Sequence, residues 1–144
     1  MGKLTKSIEI EASPEKVFDF TNDTKKMNEA GKGFVEVKDT SEGPVGVGST
    51  MHFVTAVGVE YDVEVTEFVK NKKKASRIIG ASKVKMTQSW TIEPTPKGTK
   101  LTYSADYKLP YSLLGKIADK IKVSKDLEKS VSQTLENIKK ALEA

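Results

Sequence analysis

The chain has 144 residues, 37% hydrophobic and 31% charged, with 24 basic against 20 acidic side chains and a formal net charge of +4. It contains no cysteine, which excludes disulfides, thiolate catalysis and cysteine-ligated zinc together. Among the basic residues only Arg77 is arginine; bidentate reading of guanine or phosphate leans on arginine, so the positive balance reads as a lysine-rich solubilising surface and no specific nucleic-acid partner is expected.

The length suits one core that needs no metal or disulfide to hold it. No stretch approaches the roughly 18 apolar residues of a membrane span, and the N-terminal MGKLTKSIEIEA alternates instead of forming a signal-peptide apolar block. The expectation is a single domain over 1–144, cytoplasmic, with no membrane span.

Residues 4 to 12 set Leu4, Ile8, Ile10 and Ala12 against Thr5, Ser7, Glu9 and Glu11, the pattern of a half-buried strand. Ser13-Pro14-Glu15 stops it with an N-cap serine, a proline at the first helical position and an acid in the first turn. That helix carries Val17, Phe18 and Phe20 and pauses near Asn22-Asp23-Thr24. A second short helix over 25–30 ends at Gly31 or Gly33.

Six strands follow, over 34–40, 49–57, 59–69, 74–80, 83–93 and 99–109, separated by Gly-, Pro- or Asn-bearing connections. Short sequential turns make neighbouring strands antiparallel, hence a meander. Alternation assigns the faces. Val59, Tyr61, Val63 and Val65 oppose Glu60, Asp62, Glu64 and Thr66; Val84, Met86, Trp90 and Ile92 oppose Lys85, Thr87, Ser89 and Thr91; Leu101, Tyr103, Ala105 and Tyr107 oppose Thr102, Ser104, Asp106 and Lys108. Choosing Met51, Phe53, Thr55 and Val57 as the inward set turns His52, the only histidine, outward.

From Leu127 the apolar residues Val131, Leu135, Ile138 and Leu142 recur at helical spacing. An unbroken helix over 111–143 would reach roughly 50 Å, too long for a compact domain. A restart is therefore expected at Ser124, an N-cap candidate before the acidic turn Asp126–Glu128. The shorter piece before it, over 111–122 with Leu113, Leu114, Ile117 and Ile121, is a candidate lid.

Strand, two short helices, six strands and a long helix is an order that resembles the SRPBCC superfamily, also called START-like or pollen-allergen-like, and within it the polyketide cyclase/dehydrase-like branch. The resembling residues are IEIEASPEKVFDF over 8–20, the loop Gly46-Val47-Gly48-Ser49, Gly98-Thr99-Lys100-Leu101-Thr102-Tyr103, and Leu109-Pro110 opening the final helix. The resemblance implies an α+β helix-grip fold: a seven-stranded curved antiparallel sheet, two short helices after strand 1, and a long C-terminal helix packed in the sheet's concave face. It also implies a cavity between sheet and helix for a lipid-, sterol- or polyketide-like molecule. Some members are cyclases or aromatases; others transport ligands, act as co-chaperones or help to assemble other enzymes. No catalytic motif carries over residue by residue, and no cofactor is implied.

The inward set supplies the candidate ligand-binding residues. From the first half of the chain these are Phe20, Phe34, Met51, Phe53, Tyr61 and Val63. The later strands add Met86, Gln88, Trp90, Tyr103 and Tyr107, and the stretch before Ser124 adds Ile117 and Ile121. Such aromatic and thioether groups are large, amphipathic or adaptable. Gln88 is the anomaly, an amide between Met86 and Trp90 on the covered face. Unpaired it would cost about 1 to 3 kcal/mol, so it needs a tyrosine, water or ligand partner, or is a satisfied core glutamine. A dry void of roughly 300 Å³ would cost on the order of 7 kcal/mol, so a pocket here must be wet, ligand-filled or partly collapsed.

Other chemistry is harder to place. The Gly43-Pro44-Val45-Gly46-Val47-Gly48 loop lacks the Gly-Lys-Ser/Thr ending of a P-loop and precedes a strand. Glu60, Asp62 and Glu64 stand about 7 Å apart along one strand, on the wet face, where cross-strand charge pairing is expected and no metal site. Three functions compete: a non-catalytic carrier or sensor of an apolar ligand; an enzyme that folds and dehydrates a polyketide-like substrate with help from Tyr61, Tyr103, Tyr107 or a Gln88-bound water; and a co-chaperone or assembly-type module with a protein partner.

Overall fold

The structure, a computed structural model, describes residues 2–56, 58–81, 84–108 and 120–144, with side chains from 125 onward in the last segment. Its elements are β1 (Gly2–Ile10), α1 (Pro14–Thr21), α2 (Thr24–Ala30), β2 (Val35–Asp39), β3 (Thr50–Thr55), β4 (Glu60–Val69), β5 (Lys73–Ile79), β6 (Lys85–Thr95), β7 (Gly98–Lys108) and α3 (Lys120–Glu143). The seven strands form one curved antiparallel sheet in the order β1-β7-β6-β5-β4-β3-β2. Short turns make β2 to β7 a meander. The two helices after β1 carry the chain across the sheet, so β1 closes the far edge beside β7. No helix among the described residues is long and apolar enough to cross a membrane.

Local signals set the helix starts. Ser13 Oγ accepts from the Lys16 N–H at 3.3 Å, with Pro14 in the first turn. Asp23 Oδ1 does the same for the Lys26 N–H at 3.1 Å, and Gly31 caps the end of α2. At the β6–β7 turn the backbone of β1 comes close. A side chain at Gly98 would collide with the Ile10 carbonyl oxygen, and the adjoining Thr99, fully buried, donates to the Ala12 carbonyl at 2.7 Å.

Three sequence expectations need correction. The helix does not restart at Ser124: α3 runs unbroken from Lys120 to Glu143, because a serine costs a helix interior only a few tenths of a kcal/mol and neither Gly nor Pro interrupts this stretch. The preceding residues, where the sequence suggests a lid, lie outside the described residues. Val59 is 39% exposed, held in the turn before β4, where its carbonyl accepts from the Thr55 N–H at 2.9 Å. Strict alternation along β4 also fails, because the register slips between Val65 and Glu67. This bulge turns Glu67 to solvent and brings Phe68 to the concave side, where its ring meets Phe18 at 5.2 Å.

Buried side chains gather in two clusters. The first joins Ile10, Val17, Phe18, Phe20, Ile92, Leu101 and Tyr103 to Val131, Leu135 and Ile138 of α3. The second holds Met51, Val63 and Val65, with Phe53, Tyr61 and Ile78 packed against them. Phe68 packs against both. α3 lies over β1 and against α1 and α2, and none of its described side chains joins the second cluster.

Each rim of the sheet takes side-chain hydrogen bonds at a few backbone groups. On β2, Asn28 of α2 donates to the Val37 carbonyl at 2.8 Å and accepts from the Val37 N–H at 2.7 Å. Beyond β1, Lys139 donates to the Glu9 carbonyl at 2.8 Å while Glu143 accepts from the Glu11 N–H at 2.9 Å.

Candidate functional site

Directly paired residues of adjacent strands share a face, so the registers define rows across the concave side. One row runs Leu4, Ala105, Gln88, Ser76, Val65. The next runs Lys6, Tyr103, Trp90, Lys74, Phe68. These two rows hold the polar chemistry of an otherwise apolar surface.

In the first row the hydrogen bonds have a direction. The buried Tyr103 hydroxyl donates to Gln88 Oε1 at 2.7 Å, and Gln88 Nε2 donates to Ser76 Oγ at 3.1 Å. Gln88 is therefore satisfied within the protein. Ser76 is 6% exposed and accepts at the end of this chain, which leaves its own O–H to donate.

The second row places a lysine at each side of the Trp90–Tyr103 pair, whose rings meet edge-on at 4.8 Å. Lys6 is neutralised by Glu128 of α3 at 2.6 Å. Lys74, between Phe68 and Trp90, takes part in no ion pair among the described residues. Burial lowers its pKa to about 8, opposed by the charge of Asp39, whose carboxylate accepts from Thr24 Oγ1 at 2.9 and 3.0 Å.

Tyr61 stacks on Phe53 with ring centroids 5.3 Å apart. Burial pushes its hydroxyl up to about 12 and the Tyr103 hydroxyl higher still, with Tyr61 adding to the latter. Both are neutral hydrogen-bonding groups at physiological pH, not bases.

The remaining sequence candidates scatter around this centre. Met51 and Val63 fill the second cluster, while Met86 and Trp90 pack on the first. Phe20 is buried on α1 with the Lys26 ammonium 5.9 Å above its ring. Tyr107 packs over Gly2, where a side chain would strike its ring. Phe34 is part-buried in the turn before β2 and belongs to neither cluster. Ile117 and the side chain of Ile121 lie outside the described residues.

Sequence reasoning missed Lys6, Phe68, Lys74 and Ser76 as site residues. Period-two counting from Leu4 to Ile8 puts Lys6 on their face. The Phe68 signal is hidden by the bulge, and KKASRII over 73–79 has no alternation from which to orient Lys74 and Ser76.

A groove of about 580 Å³ opens beside this site, lined by Phe18, Asp19, Asn22, Asp23, Val45, Phe68 and Lys70. Phe68 thus stands both in this groove and in the row of Lys74. On the convex face, His52 bonds Asp62 through Nδ1 and Glu60 through Nε2, each at 2.9 Å, and Glu64 meets Arg77 at 3.4 Å. These acids pair across strands, remote from the concave rows.

A curved sheet gripped by a C-terminal helix, with aromatic and thioether side chains over its concave face, defines a helix-grip domain of the SRPBCC superfamily. The chain belongs to the polyketide cyclase/dehydrase and lipid transport family, whose profile matches residues 1–143. No curated protein matches it in sequence. In fold it is similar to protein MLL2253 from Mesorhizobium loti, at 18% identity and a TM-score of 0.76, covering 99% of this chain and 97% of that one. TTHA0849 from Thermus thermophilus gives 17% identity and a TM-score of 0.73 over 97% of this chain and 99% of that one. The di-domain ARO/CYC protein BexL from the BE-7585A biosynthetic pathway gives 18% identity and a TM-score of 0.76 over 99% of this chain, which spans 50% of BexL.

Proposed function

We propose that the protein binds and carries an apolar small molecule, lipid-, sterol- or polyketide-like, on the concave face between the sheet and its C-terminal helix. The observation that carries this reading is the division of the apolar interior. α3 secures the first cluster through Val131, Leu135 and Ile138, while the second, with the stacked Phe53 and Tyr61 beside it, receives none of its described side chains. A sheet surface so rich in aromatic and thioether groups fits ligands of variable shape. The family's lipid-transport members support the same reading.

The tyrosines favour carriage over catalysis. Tyr103 has its hydroxyl committed to Gln88, and burial raises the pKa values of both Tyr61 and Tyr103 away from neutrality, which makes them poor proton acceptors at pH 7. Native mass spectrometry of the purified protein should detect a co-purifying apolar molecule. Titration with the neutral probe N-phenyl-1-naphthylamine should give a saturable rise in fluorescence. An empty protein together with a flat titration would overturn the assignment.

A further inference from the structure

We propose that the ligand is an acid: an amphiphile whose carboxylate is held by the Lys74 ammonium and the Ser76 hydroxyl while its hydrocarbon lies along the apolar rows. This rests on the carrier reading and names the chemical class that the same site takes.

Two inward lysines share one row and differ in their surroundings. The fold supplies Lys6 with a counter-charge, Glu128, at 2.6 Å. Lys74 stands in the same row between Phe68 and Trp90 and has no ion-pair partner among the described residues. Among the described residues the carboxylate whose charge acts on it is Asp39, which accepts from Thr24. A largely desolvated ammonium without an ion-pair partner is unfavourable, and an anion brought in by the ligand would relieve it.

Ser76 makes the site specific for an acceptor. It lies two residues from Lys74 along β5, on the same face, and the chain from Tyr103 through Gln88 delivers an N–H to its oxygen. The serine hydroxyl therefore ends this relay as an acceptor and keeps its own hydrogen to donate. Alternate strand residues are about 7 Å apart, a gap the four-carbon lysine stem can narrow. Two donors with no acceptor among the described residues, set in an apolar surface, match a carboxylate and mismatch an alcohol or a hydrocarbon end.

The test is displacement of N-phenyl-1-naphthylamine at pH 7 by decanoate and by 1-decanol. Decanoate should be favoured by about tenfold or more in the native protein, the scale of one charged hydrogen bond. Lys74→Met should abolish that preference, Lys74→Arg should retain much of it, and Ser76→Ala should reduce it. Circular dichroism of each variant checks its fold. Equal displacement by acid and alcohol in the native protein, or a preference that survives Lys74→Met, overturns this proposal and leaves the carrier reading intact. Failure of both compounds to displace the bound probe also overturns this proposal, whereas the carrier reading falls only with an empty protein and a flat probe titration.

Discussion

Tyr103 on β7 donates to Gln88 on β6 across 2.7 Å, tying two strands together through their covered faces. Removing the donor alone strands a part-buried acceptor. Tyr103→Phe should lower unfolding free energy by about 1 to 3 kcal/mol, read from urea denaturation. Adding Gln88→Leu should recover part of that loss, since replacing both partners leaves nothing unsatisfied between them; strict additivity of the two changes would contradict a shared bond.

The grip of α3 should be measurable in the same way. Leu135 is 2% and Ile138 0% exposed, both in the first cluster, so truncation of either to alanine should cost about 2 to 5 kcal/mol. Losses under about 1 kcal/mol at both sites would mean that the cluster tolerates their removal, contrary to tight packing.

Lys74→Met should stabilise the ligand-free protein at pH 7, on the order of 1 to 3 kcal/mol. The sign follows from a folded pKa of about 8, below the ordinary value of 10.5. The folded state disfavours the charged amine, so the penalty is full below pH 8 and fades as pH rises toward 10.5, where the unfolded chain also loses its proton. Thermal melts across this range, from neutral pH upward, should show the native protein gaining on the variant. A constant gap would exclude titration of Lys74 as its source.

His52 should titrate above the ordinary 6.5, because its hydrogen bonds to Glu60 and then Asp62 favour the imidazolium. A raised folded pKa stabilises the fold fully below pH 6.5, and that contribution is lost as pH rises through the folded value. NMR titration of the ring protons checks the shift, which should shrink in Glu60→Gln and further when Asp62→Asn is added.

How far these features could be read in advance depended on how much each strand's pattern was constrained. β7 alternates cleanly because Leu101, Tyr103 and Ala105 all face the core, and Ser13-Pro14 marks α1 by chemistry that needs no tertiary partner. Gln88 was visible as an inward amide, although its partners came from two other strands. β4 carries its extra residue at Thr66, and one inserted residue moves every later side chain to the other face; nothing in Val65-Thr66-Glu67-Phe68 marks it. β5 reads as two lysines, two small residues, an arginine and two isoleucines. Only its pairing with Trp90 and Gln88 reveals which lysine enters the site.

Asn28 and the Lys139–Glu143 pair do more than fasten helices to strands. Each offers the rim of the sheet the donor or acceptor that a neighbouring strand would otherwise provide, acting as a one-residue imitation of the next β-ladder. An uncovered rim would be a template for other chains. Side chains from α2 and α3 occupy backbone groups at both rims, so loosening either helix exposes sticky backbone together with apolar surface. The consequence is a shared failure mode: a molecule opened by lifting α3 would also bare β1. Light scattering at high protein concentration should then rise in Lys139→Ala before any loss of secondary structure.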